Sequence, residues 1–433
     1  MDFKVKIYRD TSGTPFPLIV EDGVFPACLY LNAYLNGNHN SSLSRGNASH
    51  ALSLNTLISY AHQLKFCHSH FKCKNIDLVK RVAEGAFLST KEIDDFIQAS
   101  KMPLDIDSHV EKSKVVRITD RRIQKAIHAT TNSSPQVSAH TFRQKLVRLR
   151  SYVEYLYVCH HYDNPSTSET VIIDSKFRAF QFYLNKHISD TRKDNVETKD
   201  PFVSVLPVDH FFNLLEIIKV NSPKNPFKSS RFRNLLVMQI LVESGVRIGA
   251  VLKLKISDLV DDWDNPRFLL TRTPNDTTDK RRIPAKNKTK ALSVSISPEL
   301  MKLIKLYIDT VRVKYPKSTQ HDFLFIAEKG VSSGKPITYE QVYKVVSKFG
   351  DAINFKLHPH LLRHKWNEVF TKNAESAGYD QALIEDMRKY AMGWVENSKM
   401  AGIYNEFKIA VTVRELSAAN QNKTVPDLGN SCE

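Results

Sequence analysis

Leu357-His358-Pro359-His360-Leu361-Leu362-Arg363-His364-Lys365-Trp366 reads as the start of a helix that faces an anion. Pro359 suits the first helical position, where its missing N–H costs nothing. His360 and Arg363 lie three residues apart and so share one face of the first turn. Unpaired backbone N–H groups and the positive end of the helix macrodipole sit at the same end. A histidine, an arginine and a helix N-terminus aimed one way suit a phosphate. Alone, His-x-x-Arg is weak, because a surface helix start with ordinary basic residues looks the same. Its meaning comes from two distant pieces, Arg247 upstream and Gly402-Ile403-Tyr404 downstream.

The composition points to the same kind of partner. The 433 residues carry a net charge of +16, with charged residues at 25% and hydrophobic residues at 42%. The hydrophobic share supports real cores, and the length suggests two or three domains. The basic excess points to a polyanion, most simply nucleic acid. No run of 18 apolar residues appears, so no membrane span is expected. Met1-Asp2-Phe3-Lys4 lacks the apolar core of a secretory signal. Five scattered cysteines fit a reducing compartment better than a disulfide framework, and a cytoplasmic, nucleoid-associated protein is expected. Cys67-His68-Ser69-His70-Phe71-Lys72-Cys73 has zinc-binding residue types but no C-x-x-C pair and no second ligand pair at a finger spacing. It is read as chance placement at a helix end, and no metal is expected.

Taken in order, residues 1–25 read as an irregular or short β arm, with alternating Phe3, Val5 and Ile7 broken by Pro15 and Pro17. Residues 26–194 read as a helical domain. Leu54, Leu57, Ile58, Ala61 and Leu64 form a helical stripe, and Ser89-Thr90-Lys91-Glu92 is a capping box. The clearest helix covers 138–159, with Phe142, Leu146, Leu149, Val153 and Leu156 on its apolar side. Arg143, Lys145, Arg148 and Arg150 lie in its N-terminal half and are candidate phosphate contacts, against the alternative of a merely solvated face. A linker is expected at 195–206, a second domain at 207–417 and a tail at 418–433. In the second domain, helices are expected at Val208–Ile218, Phe232–Glu243, from Ser297-Pro298-Glu299 to Val311, after the capping box Thr338-Tyr339-Glu340-Gln341, and at about 380–390. Short strands, Phe268–Thr271 and Ser293–Ile296, flank a basic segment. The fold class is thus mostly α with a small antiparallel β-sheet.

In order along this second domain stand Glu243-Ser244-Gly245-Val246-Arg247-Ile248, the basic segment 280–290, His360-Leu361-Leu362-Arg363-His364, Ala377-Gly378, Met392-Gly393-Trp394 and Ile403-Tyr404. The set resembles the tyrosine recombinase (phage integrase) family over about 207–410. No single piece is specific; the pieces in this order and at these distances are. The resemblance implies a two-domain architecture, with an N-terminal helical core-binding domain and a catalytic domain clamping DNA. It implies cleavage and rejoining through a 3′-phosphotyrosine, in integration or excision of a mobile element. Arg247, Lys286, His360, Arg363, Trp394 and Tyr404 become the catalytic candidates, Lys288 and Lys290 DNA contacts, and His364 a supporting residue. The expected partners are double-stranded DNA with specific core sites, a homotetramer on two such sites and accessory DNA-bending or directionality proteins. No cofactor is needed, since the phosphotyrosine bond conserves the phosphodiester energy.

The chemistry accounts for those types. A phenol with a pKa near 10 needs a neighbour to take its proton, arginine clamps a transition state bearing extra negative charge, and the departing 5′ oxygen needs an acid, the role the family gives a hairpin lysine. Two departures stand out. Ala250 occupies a position where the family usually carries an acid, and the usual Gly-Lys-Gly-x-Lys hairpin is missing. Lys286, Lys288 and Lys290 alternate, so a strand would put all three on one face, and counting back from Val294–Ile296 favours Lys286, then Lys288. The competing readings are a DNA-binding regulator with a decayed site and, further off, a relaxing topoisomerase.

Overall fold

The computed structural model describes residues 2–37, 52–103, 137–162, 167–191, 205–271, 276, 278–287, 289–394, 409–410, 413–414 and 416–417. The chain forms two compact units, Met1–Thr198 and Lys199–Glu433.

The first unit opens with an antiparallel sheet of β1 (Phe3–Arg9), β2 (Pro15–Glu21) and β3 (Phe25–Pro26). β3 pairs with β2 only at Val20 and Glu21. Pro15 and Pro17 therefore lie where β2 has a partner on one side only, which proline tolerates. The helices are α1 (Leu29–Gly37), α2 (Leu54–Cys73), α3 (Leu78–Ala83), α4 (Thr90–Lys101), α5 (Ala139–His161) and α6 (Ser168–Asp190). The capping box at Ser89 forms as read, with Ser89 and Glu92 exchanging side-chain and backbone bonds. Leu146, Leu149, Tyr152, Val153 and Leu156 of α5 run through the centre of the core, against Leu57, Leu64 and Phe71 of α2. Cys67 lies in that same core, and burial pushes its thiol up to about 12.

The second unit is built on α8 (Arg231–Ser244), whose buried Leu236, Met238, Ile240 and Leu241 are the centre of its core. Around it stand α7 (Val208–Ile217), α9 (Ile248–Lys253), α10 (Pro298–Thr310), α11 (Tyr339–Ala352), α12 (Pro359–Ser376) and α13 (Gln381–Met392). Their starts follow the capping residues. The Ser297 hydroxyl accepts from Leu300 N with Pro298 at the first turn, Thr338 and Gln341 form a capping box, and the Asp380 carboxylate accepts from Leu383 N. β4 (Leu259–Val260), β5 (Arg267–Leu270) and β6 (Leu292–Ser295) form a small antiparallel sheet, with Arg267 opposite Ser295 and Leu270 opposite Leu292. The fold is mostly α with small antiparallel sheets, and no described helix is long and apolar enough to cross a membrane.

Candidate active site

The first arginine is placed by a turn that needs glycine. At the end of α8, Gly245 takes a left-handed φ of +62°, and a Cβ there would lie 2.7 Å from the Trp366 ring. Both facts exclude a side chain. Trp366 also donates from its indole nitrogen to Glu243 O at 2.8 Å. The turn is thus seated on α12, and Arg247 follows as the residue that opens α9. Ala250, three residues on, is buried among apolar neighbours.

Arg363 ties distant pieces of the unit together. Only 2% exposed, it donates from Nη1 to Gly245 O at 2.8 Å and from Nη2 to Met392 O at 3.1 Å. Its guanidinium carbon lies 5.8 Å from the centre of the Trp394 ring. One side chain therefore joins the turn before Arg247, its own helix and the end of α13. Gly393 closes α13 with a left-handed φ of +61°, and Trp394 N donates back to Lys389 O at 2.9 Å. Trp394 packs in a small cluster with Met392 and Trp366.

His360 and His364 stand one turn apart on α12, with ring centres 5.3 Å apart. His360 is exposed as a residue, yet loss of water around its ring, with the positive charges of Arg363 and Arg247 and the nearby His358, holds its pKa below the ordinary imidazole value. His364 is half-buried. Desolvation, then His360, His358 and Arg363, push it down to about 4. Both rings are therefore neutral at pH 7, able to accept a proton or donate one N–H bond.

The lysine segment departs from its expected form. Neither Lys286 nor Lys290 lies in a strand, since β6 begins only at Leu292. Polar side chains capture the local backbone instead of leaving it to a ladder. The Asp279 carboxylate accepts from Ala285 N at 3.0 Å, and Asn287 Oδ1 accepts from Thr289 N at 3.1 Å. The segment nevertheless reaches the site. A Cβ on Gly249 would fall 2.4 Å from Lys286 O, so the Lys286 backbone lies directly on the first turn of α9, two residues from Arg247. Lys290 N donates to Gly393 O at 3.0 Å, which brings the other end of the segment to the Trp394 corner. Lys286 is half-buried, and desolvation lowers its pKa. Lys290 is exposed.

Residues 209–408 match the phage integrase family. The second unit is a phage integrase family domain. Transposase A from transposon Tn554 of Staphylococcus aureus is 32% identical over 153 residues, which is 35% of this chain and 39% of that protein. The tyrosine recombinase XerD of Staphylococcus haemolyticus is 21% identical over 201 residues, 44% of this chain and 60% of that one. The chain thus spans less than two thirds of the length of either of these relatives. Among solved structures, XerH site-specific recombinase bound to its difH substrate has a TM-score of 0.47 at 19% identity, covering 83% of this chain and 79% of that one. A lambda integrase fragment dimer on a COC′ core site has a TM-score of 0.45 at 13% identity, covering 87% and 93%.

Within the integrase domain, Arg247, Lys286, His360, Arg363 and Trp394 come together from α9, the 279–291 segment, α12 and the end of α13. Tyr404 and Lys288 lie outside the described residues. The domain also holds a pair the motifs did not flag, Asp279 with Arg281, both buried and 2.7 Å apart. The available signal was an acid standing immediately before the basic run at 280–290.

In the first unit, the basic side expected of α5 is corrected at two of its four positions. Lys145 is 5% and Arg148 6% exposed. Lys145 donates from Nζ to Ser100 O at 3.0 Å and lies over the Phe66 ring. Arg148 donates from Nη1 to the Tyr34 hydroxyl at 3.0 Å and stacks 3.2 Å from the centre of the Tyr60 ring. Apolar stems, ring faces and internal acceptors make burial of these charges tolerable, and neither is presented to a phosphate. Arg143 and Arg150 remain half-buried at the surface, with Arg150 donating to Asn185 Oδ1 at 2.7 Å.

Proposed function

We propose that this chain is a site-specific DNA recombinase that cleaves and rejoins strands through a 3′-phosphotyrosine, serving integration or excision of a mobile element. The observation that carries the reading is the double anchoring of Arg363 on Gly245 O and Met392 O, which draws the Arg247, His360 and Trp394 motifs into one place. The Tn554 transposase and XerD relatives support the same reading.

In the reaction, Tyr404 Oη attacks the scissile phosphorus. A bond forms between that oxygen and phosphorus, and the bond to the 5′ oxygen breaks. The phenol loses one proton and the 5′ oxygen gains one, so the step balances without an outside reactant. Neutral His360 is able to take the phenol proton or to donate to a phosphate oxygen. Lys286 supplies the proton to the leaving oxygen, and its lowered pKa makes it a stronger acid than an ordinary lysine. Arg247 and Arg363 hold the charge that builds on the nonbridging oxygens, and Trp394 adds an indole N–H and bulk. Arg143, Arg150, Lys288 and Lys290 serve as contacts to double-stranded DNA, and His364 supports the site. Residues 26–194 act as the core-binding domain and 207–417 as the catalytic domain. A homotetramer on two core sites, with accessory DNA-bending or directionality proteins, completes the reading, which places the protein in the cytoplasm on the nucleoid.

A nicked suicide substrate, in which cleavage releases a short strand and prevents religation, tests it. The intact chain is expected to leave a covalent protein–DNA band on a denaturing gel. Tyr404→Phe, lacking one oxygen, is expected to bind DNA as before and leave none. A covalent band that persists in Tyr404→Phe overturns the nucleophile. DNA binding with no covalent band from the intact chain points instead to a regulator with a decayed site.

A further inference from the structure

We propose that the buried Asp279–Arg281 pair is a positioning latch that fixes the Lys286 segment against the helix opened by Arg247. The bonds run in one connected path. Arg281 grips Asp279 through Nε to Oδ1 at 2.9 Å and Nη2 to Oδ2 at 2.7 Å. Its Nη1 then donates to two carbonyls from separate parts of the domain, Leu252 O in α9 at 3.0 Å and Ile337 O before α11 at 2.8 Å. Asp279 Oδ2 accepts from Ala285 N, the residue immediately before Lys286. Lys286 O in turn rests on Gly249 in the first turn of α9, where no Cβ would fit. The Phe323 ring lies under the guanidinium, 4.6 Å from its carbon.

Stability alone does not account for such a pair. Burying two charges costs desolvation that their attraction barely repays, and apolar residues of similar volume often serve the fold as well or better. What the pair adds is a defined path for main chain without a ladder. Between Arg281 and Leu292 the described residues form no strand, so the carboxylate bond to Ala285 N and the carbonyl bonds of Arg281 take the place that sheet hydrogen bonds would hold. The acid missing at Ala250 is thus answered by one that reaches α9 from the lysine segment, through Arg281 and Leu252 O. The pair touches no reacting atom in this arrangement; it acts through the position of Lys286. The inference rests on the reading of Lys286 as the acid for the 5′ oxygen, and the test separates the two.

Strand cleavage by the full chain is measured on two nicked substrates, one with the ordinary 5′ oxygen and one with a 5′ sulfur, whose thiolate leaves with little protonation. With Asp279→Asn or Arg281→Lys, cleavage of the oxygen substrate is expected to fall about tenfold or more, the scale of an acid moved by a fraction of an ångström, while the sulfur substrate is cut near the unaltered rate. Adding Asp279→Asn to Lys286→Ala is expected to cost nothing further on the oxygen substrate, as for two changes acting through one group. Equal losses on both substrates, or losses that add in full, overturn the latch. Lys286→Ala alone that loses both substrates equally overturns the reading of Lys286 instead. The apolar replacement Asp279→Leu with Arg281→Met guards against misfolding. If it melts at the temperature of the unaltered chain, a selective loss on the oxygen substrate supports the latch, and full cleavage of that substrate overturns it.

Discussion

At Arg363 one guanidinium serves the scaffold and, in the proposed reaction, the chemistry. Its bonds to Gly245 O and Met392 O fix the plane of the guanidinium that would meet a phosphate in that reaction. Lysine keeps the charge but cannot span two carbonyls from one rigid fork. Arg363→Lys is therefore expected to lower domain stability by about 1.5–3 kcal/mol for one lost charged hydrogen bond, read from the urea midpoint, and to reduce covalent complex formation as well. His364 gives a second test at this scale. Burial and three positive or ionisable neighbours hold its ring neutral in the folded protein down to about pH 4. The unfolded ring takes its proton near 6.5, so between those values the unfolded state binds more protons. Folding stability is then present above about 6.5 and falls as pH drops toward 4. A histidine titration followed by NMR is expected to place His364 near 4; a midpoint at the ordinary imidazole value would remove this account of its surroundings.

Between elements, two glycines report close approaches that local propensity does not reveal. Gly249 sits in α9, where alanine is the better helix former by about 1 kcal/mol. Its Cβ would nevertheless meet Lys286 O at 2.4 Å, so the gain is spent pushing the lysine segment away. Gly249→Ala is expected to lower the melting temperature, because the carbonyl it meets is backbone in a segment held by Asp279 and cannot give way cheaply, and to slow strand cleavage about tenfold or more; unchanged melting and cleavage would show that the segment has room to yield. Gly245→Ala faces both a left-handed φ and the Trp366 ring. Its expected cost of about 1–3 kcal/mol falls on stability and cleavage together, and a melting curve matched to the unaltered chain would count against that strain. The helix starts, by contrast, were readable from the chain alone. Ser89, Ser297 and Thr338 each bond within three residues of themselves, so sequence spacing contains the whole interaction. The lysine segment was not readable in this way. Its geometry depends on Arg281, paired with Asp279, reaching Leu252 and Ile337, far along the chain.

For the whole molecule the net charge of +16 favours a polyanionic partner, and the number of phosphates neutralised sets how such binding responds to salt. If six or more phosphates are neutralised, affinity for duplex DNA is expected to fall by about a thousandfold or more between 50 and 200 mM salt. A flat profile in a filter-binding or anisotropy titration would contradict an extended phosphate interface. Lys145 and Arg148 are excluded from that interface by burial, so Lys145→Ala is expected to unsettle the first unit's core without lowering the salt slope. Arg143→Ala or Lys290→Ala is expected to lower the slope by about one each.

The main helices of the second unit, the caps at Ser89, Ser297 and Thr338, the order of the motifs and, through them, the family of that unit are legible in the linear chain. These features depend on spacing, and spacing survives in a linear chain. Which basic residues meet solvent and where the lysine lies follow instead from contacts between distant parts of the chain. A periodic pattern marks the apolar side of a helix, yet a lysine or arginine beside it is buried once a ring face and a carbonyl arrive from elsewhere, as Phe66 and Ser100 do for Lys145. The path from Arg281 to Leu292 likewise follows hydrogen bonds to main chain that only the fold brings near, so counting residues back from β6 could not supply it.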